Sequence, residues 1–163
     1  MQLLKGDITT FEADVIVTAA NSLLRGGGGV DGAIHRAAGP ELLEELQRFN
    51  GCETGDAVIT NAYNLNAKYV VHAVGPVYKD GESGEDKLLA SAYEKSIVLA
   101  RSVDAKSILF PAISTGVYGY PLKPALTIAI DSIHEACEEN EAAMKVAMVC
   151  FDQETCRVMK DLL

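Results

Sequence analysis

Four short, almost uninterrupted apolar runs constrain this chain most: Val15-Ile16-Val17-Thr18, Tyr69-Val70-Val71-His72-Ala73-Val74, Ser107-Ile108-Leu109-Phe110 and Val146-Ala147-Met148-Val149-Cys150-Phe151. A strand with one wet face alternates apolar and polar residues. Continuous runs imply strands covered on both faces, as in a parallel sheet held between helical layers. Ala57-Val58-Ile59-Thr60 is a fifth, shorter candidate. Between the runs, Leu88, Leu89, Ala92, Tyr93, Ser96, Leu99 and Ala100 recur at three- and four-residue steps and predict a helix near 85–102. Leu126, Ile130, Ile133 and Cys137 predict another near 123–139, with Pro121 and Pro124 at its start and Glu135, Glu138, Glu139 and Glu141 on a solvated face. A short helix over about 153–162 closes the chain. The alternation predicts a three-layer α/β/α sandwich, and 163 residues with no repeat or linker predict one domain over 1–163. Ligands of such sheets bind beyond the carboxyl ends of the strands.

The loops at those ends are rich in glycine. Five of the 14 glycines fall within seven positions, Gly26, Gly27, Gly28, Gly29 and Gly32. Consecutive glycines are entropically expensive in a folded chain, so the segment must serve close backbone approach or unusual dihedrals. It leads from the run near 15–20 into a helical stretch from Val30 to Ala38, where free amide N–H groups meet an anion at a helix start. Gly27-x-Gly29-x-x-Gly32 formally matches the dinucleotide fingerprint, but its context disfavours NAD: Ser22 to Arg25 separate strand and glycines, and no acidic residue closes a second strand about 20 residues on. Gly-Lys-Ser/Thr is absent, which disfavours a P-loop. A second loop, Ser114-Thr115-Gly116-Val117-Tyr118-Gly119-Tyr120-Pro121, also follows a strand and enters a helix. Two such loops predict a diphosphate held between them.

With 14 Lys+Arg against 23 Asp+Glu, the net charge of −9 opposes non-specific binding to nucleic acid or anionic membrane. Any phosphate must therefore be met by backbone dipoles rather than a basic surface. No apolar run reaches the ~18–20 residues of a membrane span, and Gly6-Asp7 interrupts the N-terminus too early for a signal peptide. Cys52, Cys137, Cys150 and Cys156 form no C-x-x-C and no zinc-ligand spacing, so free, structural thiols in a reducing cytoplasm are expected, with no metal and no cofactor.

Asp31 and His35 stand four residues apart in a helical stretch and share a face, and Asn21 sits at the end of the preceding strand. An amide to orient a sugar hydroxyl, a carboxylate to activate water and an imidazole beside it form a plausible hydrolytic set. The bland alternative for Asp31 is a carboxylate favoured by the helix dipole. Asp7 is suited to accept an adenine amino group, or else to cap the turn Asp7-Ile8-Thr9-Thr10. Phe151 is suited to stack on a base or to pack in the core, and His72 and His134, without evident partners, read as structural.

Gly6-Asp7-Ile8-Thr9, Ala19-Ala20-Asn21, the segment Gly26 to Pro40, Cys52-x-Thr54-Gly55, His72-Ala73-Val74-Gly75-Pro76 and Ser114 to Pro121 together resemble the macro domain family, specifically its MacroD-type ADP-ribose-binding hydrolases. The resemblance implies a mixed, mostly parallel sheet of about six strands with ADP-ribose at its crest. By position, it implies Asp7 and the Ile8 backbone on adenine, Phe151 stacked on that ring, and the Gly28, Gly29, Val30 and Asp31 backbone with Ser114, Thr115, Gly116, Val117 and Tyr118 around the diphosphate. Tyr118 would lie against the distal ribose, Asn21 would hydrogen-bond it, and Asp31, supported by His35, would position or deprotonate water. Such enzymes deacetylate O-acetyl-ADP-ribose and remove mono-ADP-ribose from acidic side chains of proteins. A monomer is expected. Thr18 stands where the family usually has Asn, which opens a second reading as an ADP-ribose reader without turnover. A Rossmann-type dehydrogenase, resting on G-x-G-x-x-G alone, is the third.

Overall fold

The computed structural model describes residues 1–138 and 144–163. Six strands form one sheet: β1 (Gln2–Lys5), β2 (Val15–Ala19), β3 (Ala57–Asn61), β4 (Tyr69–Ala73), β5 (Ser107–Phe110) and β6 (Lys145–Cys150), in the order β1-β6-β5-β2-β4-β3. Every neighbouring pair is parallel except the hairpin-side pair β3/β4. The five helices are α1 (Gly29–Ala38), α2 (Glu41–Leu46), α3 (Glu85–Ser102), α4 (Leu122–Glu138) and α5 (Gln153–Leu162).

Alternation along each strand distributes side chains to two cores. Ile16, Val70, Leu109, Ala147 and Val149 meet Ile34 and Ala38 of α1 and Leu42 of α2. Val15, Val17, Val71, Ile108, Phe110 and Met148 meet Leu89, Tyr93 and Ile97 of α3, Leu126 and Ile133 of α4 and Met159 of α5. The inner strands are thus buried on both sides, as their unbroken hydrophobicity requires. β1, short and half-exposed, forms one edge beside β6. Glu135 is exposed, as a solvated face of α4 requires; Glu139 and Glu141 lie outside the described residues, as does the side chain of Glu138. Among the described residues no helix is long and apolar enough to cross a membrane.

Local signals explain the helix ends that matter for the site. α1 starts after the glycine run with Gly28 as N-cap, carries Asp31 in its first turn and His35 and Arg36 in its last, and stops at Gly39 with φ 95°. α5 starts at Asp152, whose carboxylate accepts from the N–H and the hydroxyl of Thr155.

One expectation fails. Cys150 and Cys156 are not free but joined in a disulfide, with Cα atoms 5.1 Å apart. A C-x₅-C spacing spans the turn from β6 into α5, which folds the helix back against the strand end and brings the two sulfurs together. Cys52 and Cys137 are free. Loop-closure entropy for so short a loop is worth about 2 kcal/mol. Cys156→Ser is therefore expected to lower the melting temperature by about 4–8 °C under oxidising conditions. In excess reductant the difference from wild type should vanish, and differential scanning fluorimetry checks both.

Candidate active site

A cleft of about 520 Å³ opens at the carboxyl ends of β2, β5 and β6. That volume lies within the ~300–1,000 Å³ typical of small-molecule sites. Its walls are the three segments singled out by composition: Asn21 with Gly27–Asp31, Ser114–Tyr118, and the β6–α5 turn with Phe151. No Lys or Arg is among its lining residues; the charged ones are Asp31 and Asp152. The first backbone bond of α1 runs from the Gly32 N–H to the Gly28 carbonyl, so the N–H groups of Gly29, Val30 and Asp31 have no acceptor within the helix. An anion at this wall meets amide dipoles and a helix start rather than cations.

The glycine loop is held by its own groups. Asn21 donates from Nδ2 to the Gly26 carbonyl at 2.8 Å and accepts from the Arg25 N–H at 3.3 Å. Gly26 and Gly29 both have positive φ, 76° and 58°. Across the cleft, Ser114 is a non-glycine residue at φ 69°, buried, with its hydroxyl unpartnered against Gly75. Strain of this kind persists only where surrounding structure enforces it, and it collects at binding sites.

Asp31 is buried although ionisable, with 4% of its surface exposed. The Thr18 hydroxyl donates to its Oδ1 at 2.9 Å, and His35 Nε2 lies 3.6 Å from the same oxygen. Burial pushes its pKa above the ordinary aspartate value, opposed by the Thr18 hydrogen bond and by the charge of His35. A carboxylate raised in this way is a stronger base once ionised. Both contacts fall on Oδ1, which leaves Oδ2 for whatever occupies the cleft.

His35 does not line the cleft; it stands behind Asp31, its ring packed beneath Gly26. Beside it is His72, fully buried, whose Nε2 lies 2.9 Å from the Thr60 hydroxyl, so this histidine has a partner after all. Burial, then the charge of His35, lowers the His72 pKa to about 3. An unfolded chain takes up this proton near pH 6.5, while the folded one resists it down to about 3. The contribution of His72 to stability is therefore full above pH 6.5 and declines as pH falls from there toward 3, by one proton's slope. Denaturant titrations at stepped pH should show that slope in wild type and lose it in His72→Asn. One ligand atom each from Asp31, His35 and His72 falls within 4.8 Å of the others, the group among the described residues able to hold a metal ion.

Phe151 is 77% exposed on the cleft rim, which removes the core-packing reading. Asp7 and Ile8 are not part of the cleft lining. Asp7 caps the 3₁₀ turn Ile8–Thr10, accepting from the N–H and hydroxyl of Thr9 at 2.9 and 2.7 Å, contacts that hold its pKa below normal. Ile8 is buried in the core. Both stand next to the cleft, because the Gly6 N–H donates to the Cys150 carbonyl. The sequence reading missed Pro111, Ala112, Val149, Cys150, Asp152 and Thr155 in the lining. It also missed Thr18 as the partner of Asp31; only the Thr-for-Asn departure marked that position.

The macro domain family profile matches residues 17–129, and the chain belongs to that family. It is 53% identical over its whole length to a macro domain-containing protein of Methanosarcina mazei, covering 87% of that protein. Against the O-acetyl-ADP-ribose deacetylase of Escherichia fergusonii it is 52% identical over its whole length and 94% of the relative's. The structure of the Trypanosoma brucei macrodomain in complex with ADP-ribose superposes with a TM-score of 0.92 at 42% identity, over 98% of this chain and 67% of that one.

Proposed function

We propose that this protein binds ADP-ribose and hydrolyses esters on its distal ribose, deacetylating O-acetyl-ADP-ribose and releasing mono-ADP-ribose from Asp and Glu side chains of proteins. The carrying observation is Asp31: a buried carboxylate of raised pKa, fixed through one oxygen, between two loops built from glycine and backbone amides. The deacetylase relative at 52% identity supports the same reading.

In this reading Phe151 stacks on adenine, while Asp7 and the Ile8 backbone meet its edge from beside the cleft. The diphosphate lies between the Gly28–Asp31 backbone and Ser114–Tyr118, with Tyr118 and Asn21 on the distal ribose. Water beside Asp31 attacks the ester carbonyl, its proton passes to the carboxylate, and the ribose hydroxyl leaves with a proton returned. His35 supports Asp31 from behind. Neither substrate requires a different arrangement, since both are esters of the same ribose.

The reader alternative draws on Thr18. Its hydroxyl, however, supplies the hydrogen bond that holds Asp31, so the departure from Asn leaves the carboxylate anchored. A glutamate-modified protein incubated with the enzyme should release free ADP-ribose, read by chromatography. Tight ADP-ribose binding with no release would favour the reader.

The charge distribution yields a further expectation. With amides as the anion site and a net charge of −9, long-range attraction contributes little. Calorimetric affinity for ADP-ribose should change by less than about twofold between about 0.05 and 0.5 M salt. A steep loss would mean that Arg25, Arg36 or Lys123 holds the phosphates.

A further inference from the structure

Between β4 and α3 the chain runs through Gly75-Pro76-Val77-Tyr78 and then residues 79–84, every one of these last exposed. Beneath that exposed stretch lies a buried carboxylate. Glu85, the first residue of α3, is 2% exposed. Its Oε2 accepts from the N–H groups of Lys79, Asp80 and Gly81 at 2.9, 3.1 and 3.0 Å, and its Oε1 from the Ser83 N–H at 2.7 Å. A carboxylate favoured only by the helix dipole needs none of these bonds, which run back into the loop. Neighbouring N–H groups that converge on one anion form a nest, here filled by the protein's own side chain. The Lys79 N–H, and after it those of Gly81 and Asp80, hold the Glu85 pKa down to about 2 against desolvation, so the carboxylate is ionised at neutral pH.

What the nest places is Tyr78. Its N–H donates to the Tyr118 carbonyl at 2.9 Å, and its ring packs on Tyr120 with centroids 4.8 Å apart. Gly81 has φ 77°, and a Cβ there would lie 2.7 Å from the Tyr78 hydroxyl, so the turn fits closely over that ring. Tyr118 and Tyr120 belong to the second anion loop, residues 114–121, and Tyr118 lines the cleft. The same helix holds the start of that loop. The Tyr93 hydroxyl of α3 accepts from the Ile113 N–H at 2.9 Å and donates to the Pro111 carbonyl at 3.1 Å. The middle of the loop is bonded to itself, from the Gly119 N–H to the Gly116 carbonyl and from the Tyr120 N–H to the Ser114 carbonyl. Such bonds keep the loop's shape; the bond from Tyr78 fixes where Tyr118 stands.

We propose that Glu85 is a positioning residue for the distal half of the ADP-ribose site: by folding residues 79–83 around its carboxylate it sets Tyr78, which holds Tyr118 at the cleft. The inference rests on the proposed ADP-ribose reading for the ligand that senses it. In that reading Tyr118 meets the distal ribose, while adenine lies at Phe151 and depends on nothing in the nest.

Glu85→Gln keeps the shape of the side chain and removes its charge. An amide has one oxygen to offer four N–H groups, and its own NH2 then points at one of them. The ADP-ribose Kd should rise about tenfold, the worth of one hydrogen bond, with the Kd of AMP within about twofold of wild type. Calorimetry reads the first and ligand-observed NMR the second. Hydrogen exchange should show the amides of Tyr78, Lys79, Asp80, Gly81 and Ser83 protected in wild type and opened together in the variant. Coupling is reciprocal, so ADP-ribose should slow exchange at these amides in wild type several-fold, and AMP should not.

Equal weakening of both ligands would make Glu85 a structural residue and overturn the proposal, as would unchanged affinity for both. Wild-type exchange at residues 78–83 that ADP-ribose leaves unaltered would overturn it as well, even if the variant fails to fold. A wild type that binds no ADP-ribose defeats the underlying reading and this inference with it. One that binds it while residues 78–83 stay indifferent defeats this inference alone.

Discussion

Asp31→Asn is expected to reduce hydrolysis of O-acetyl-ADP-ribose about a thousandfold, in the middle of the range for loss of a general base. Affinity for ADP-ribose should hold within a few-fold, because the amides of Gly29, Val30 and residue 31 remain in place. The same variant should be more stable than wild type. Burial raises the pKa of Asp31 in the fold, so its contribution to stability is greatest at low pH and is lost as pH rises through the folded value. At neutral pH the wild type keeps a desolvated charge that an amide of the same shape does not. The Thr18 hydroxyl still finds an acceptor at Oδ1. A rise in melting temperature of about 2–4 °C, together with lost turnover, is the signature of a residue kept for chemistry at a cost in stability. Lost turnover with a lowered melting temperature would make Asp31 a structural residue.

Gly32→Ala should be the most damaging single methyl in the glycine loop. A Cβ at this position would lie 2.5 Å from the Gly27 carbonyl oxygen and 3.1 Å from an Arg36 guanidinium nitrogen. The side chain of Arg36 can swing aside, but the carbonyl belongs to backbone that lines the cleft. Alanine would add about 1 kcal/mol of helix propensity. Overpacking of this kind costs about 1–3 kcal/mol, so the net effect is destabilising or neutral at best. The larger effect is on binding, because Gly27 can yield only by moving Gly28 and Gly29 with it. A loss of ADP-ribose affinity of at least about tenfold is expected by calorimetry. Gly28→Ala is the comparison: nothing lies within 4 Å of its added Cβ and its φ of −97° suits any residue, so the fold should keep its melting temperature.

The sheet was legible because burial on both faces leaves a local trace. β2, β4, β5 and β6 are unbroken apolar runs, and α3 and α4 have long one-sided stripes. α2 was not legible: Glu41 to Leu46 is too short for a helical period to show. β1 reads only as Gln2-Leu3-Leu4-Lys5, because an edge strand needs little apolar surface. The two anion-binding loops announced themselves through glycine, since a backbone site needs residues that expose backbone. What supports Asp31 did not, because the Thr18–Asp31 and His72–His35 approaches depend on β2 lying beside β4. Strand order is a long-range property with no mark in any one segment. The Cys150–Cys156 bond escaped for a related reason, since its spacing makes sense only once α5 folds back over the end of β6.

The most direct measurement is the fate of O-acetyl-ADP-ribose mixed with the wild-type protein, with acetate and ADP-ribose quantified as products. Stoichiometric release of both over many turnovers is expected, inhibited by free ADP-ribose and nearly absent in Asp31→Asn. An intact substrate, bound tightly in the cleft after long incubation, would contradict it.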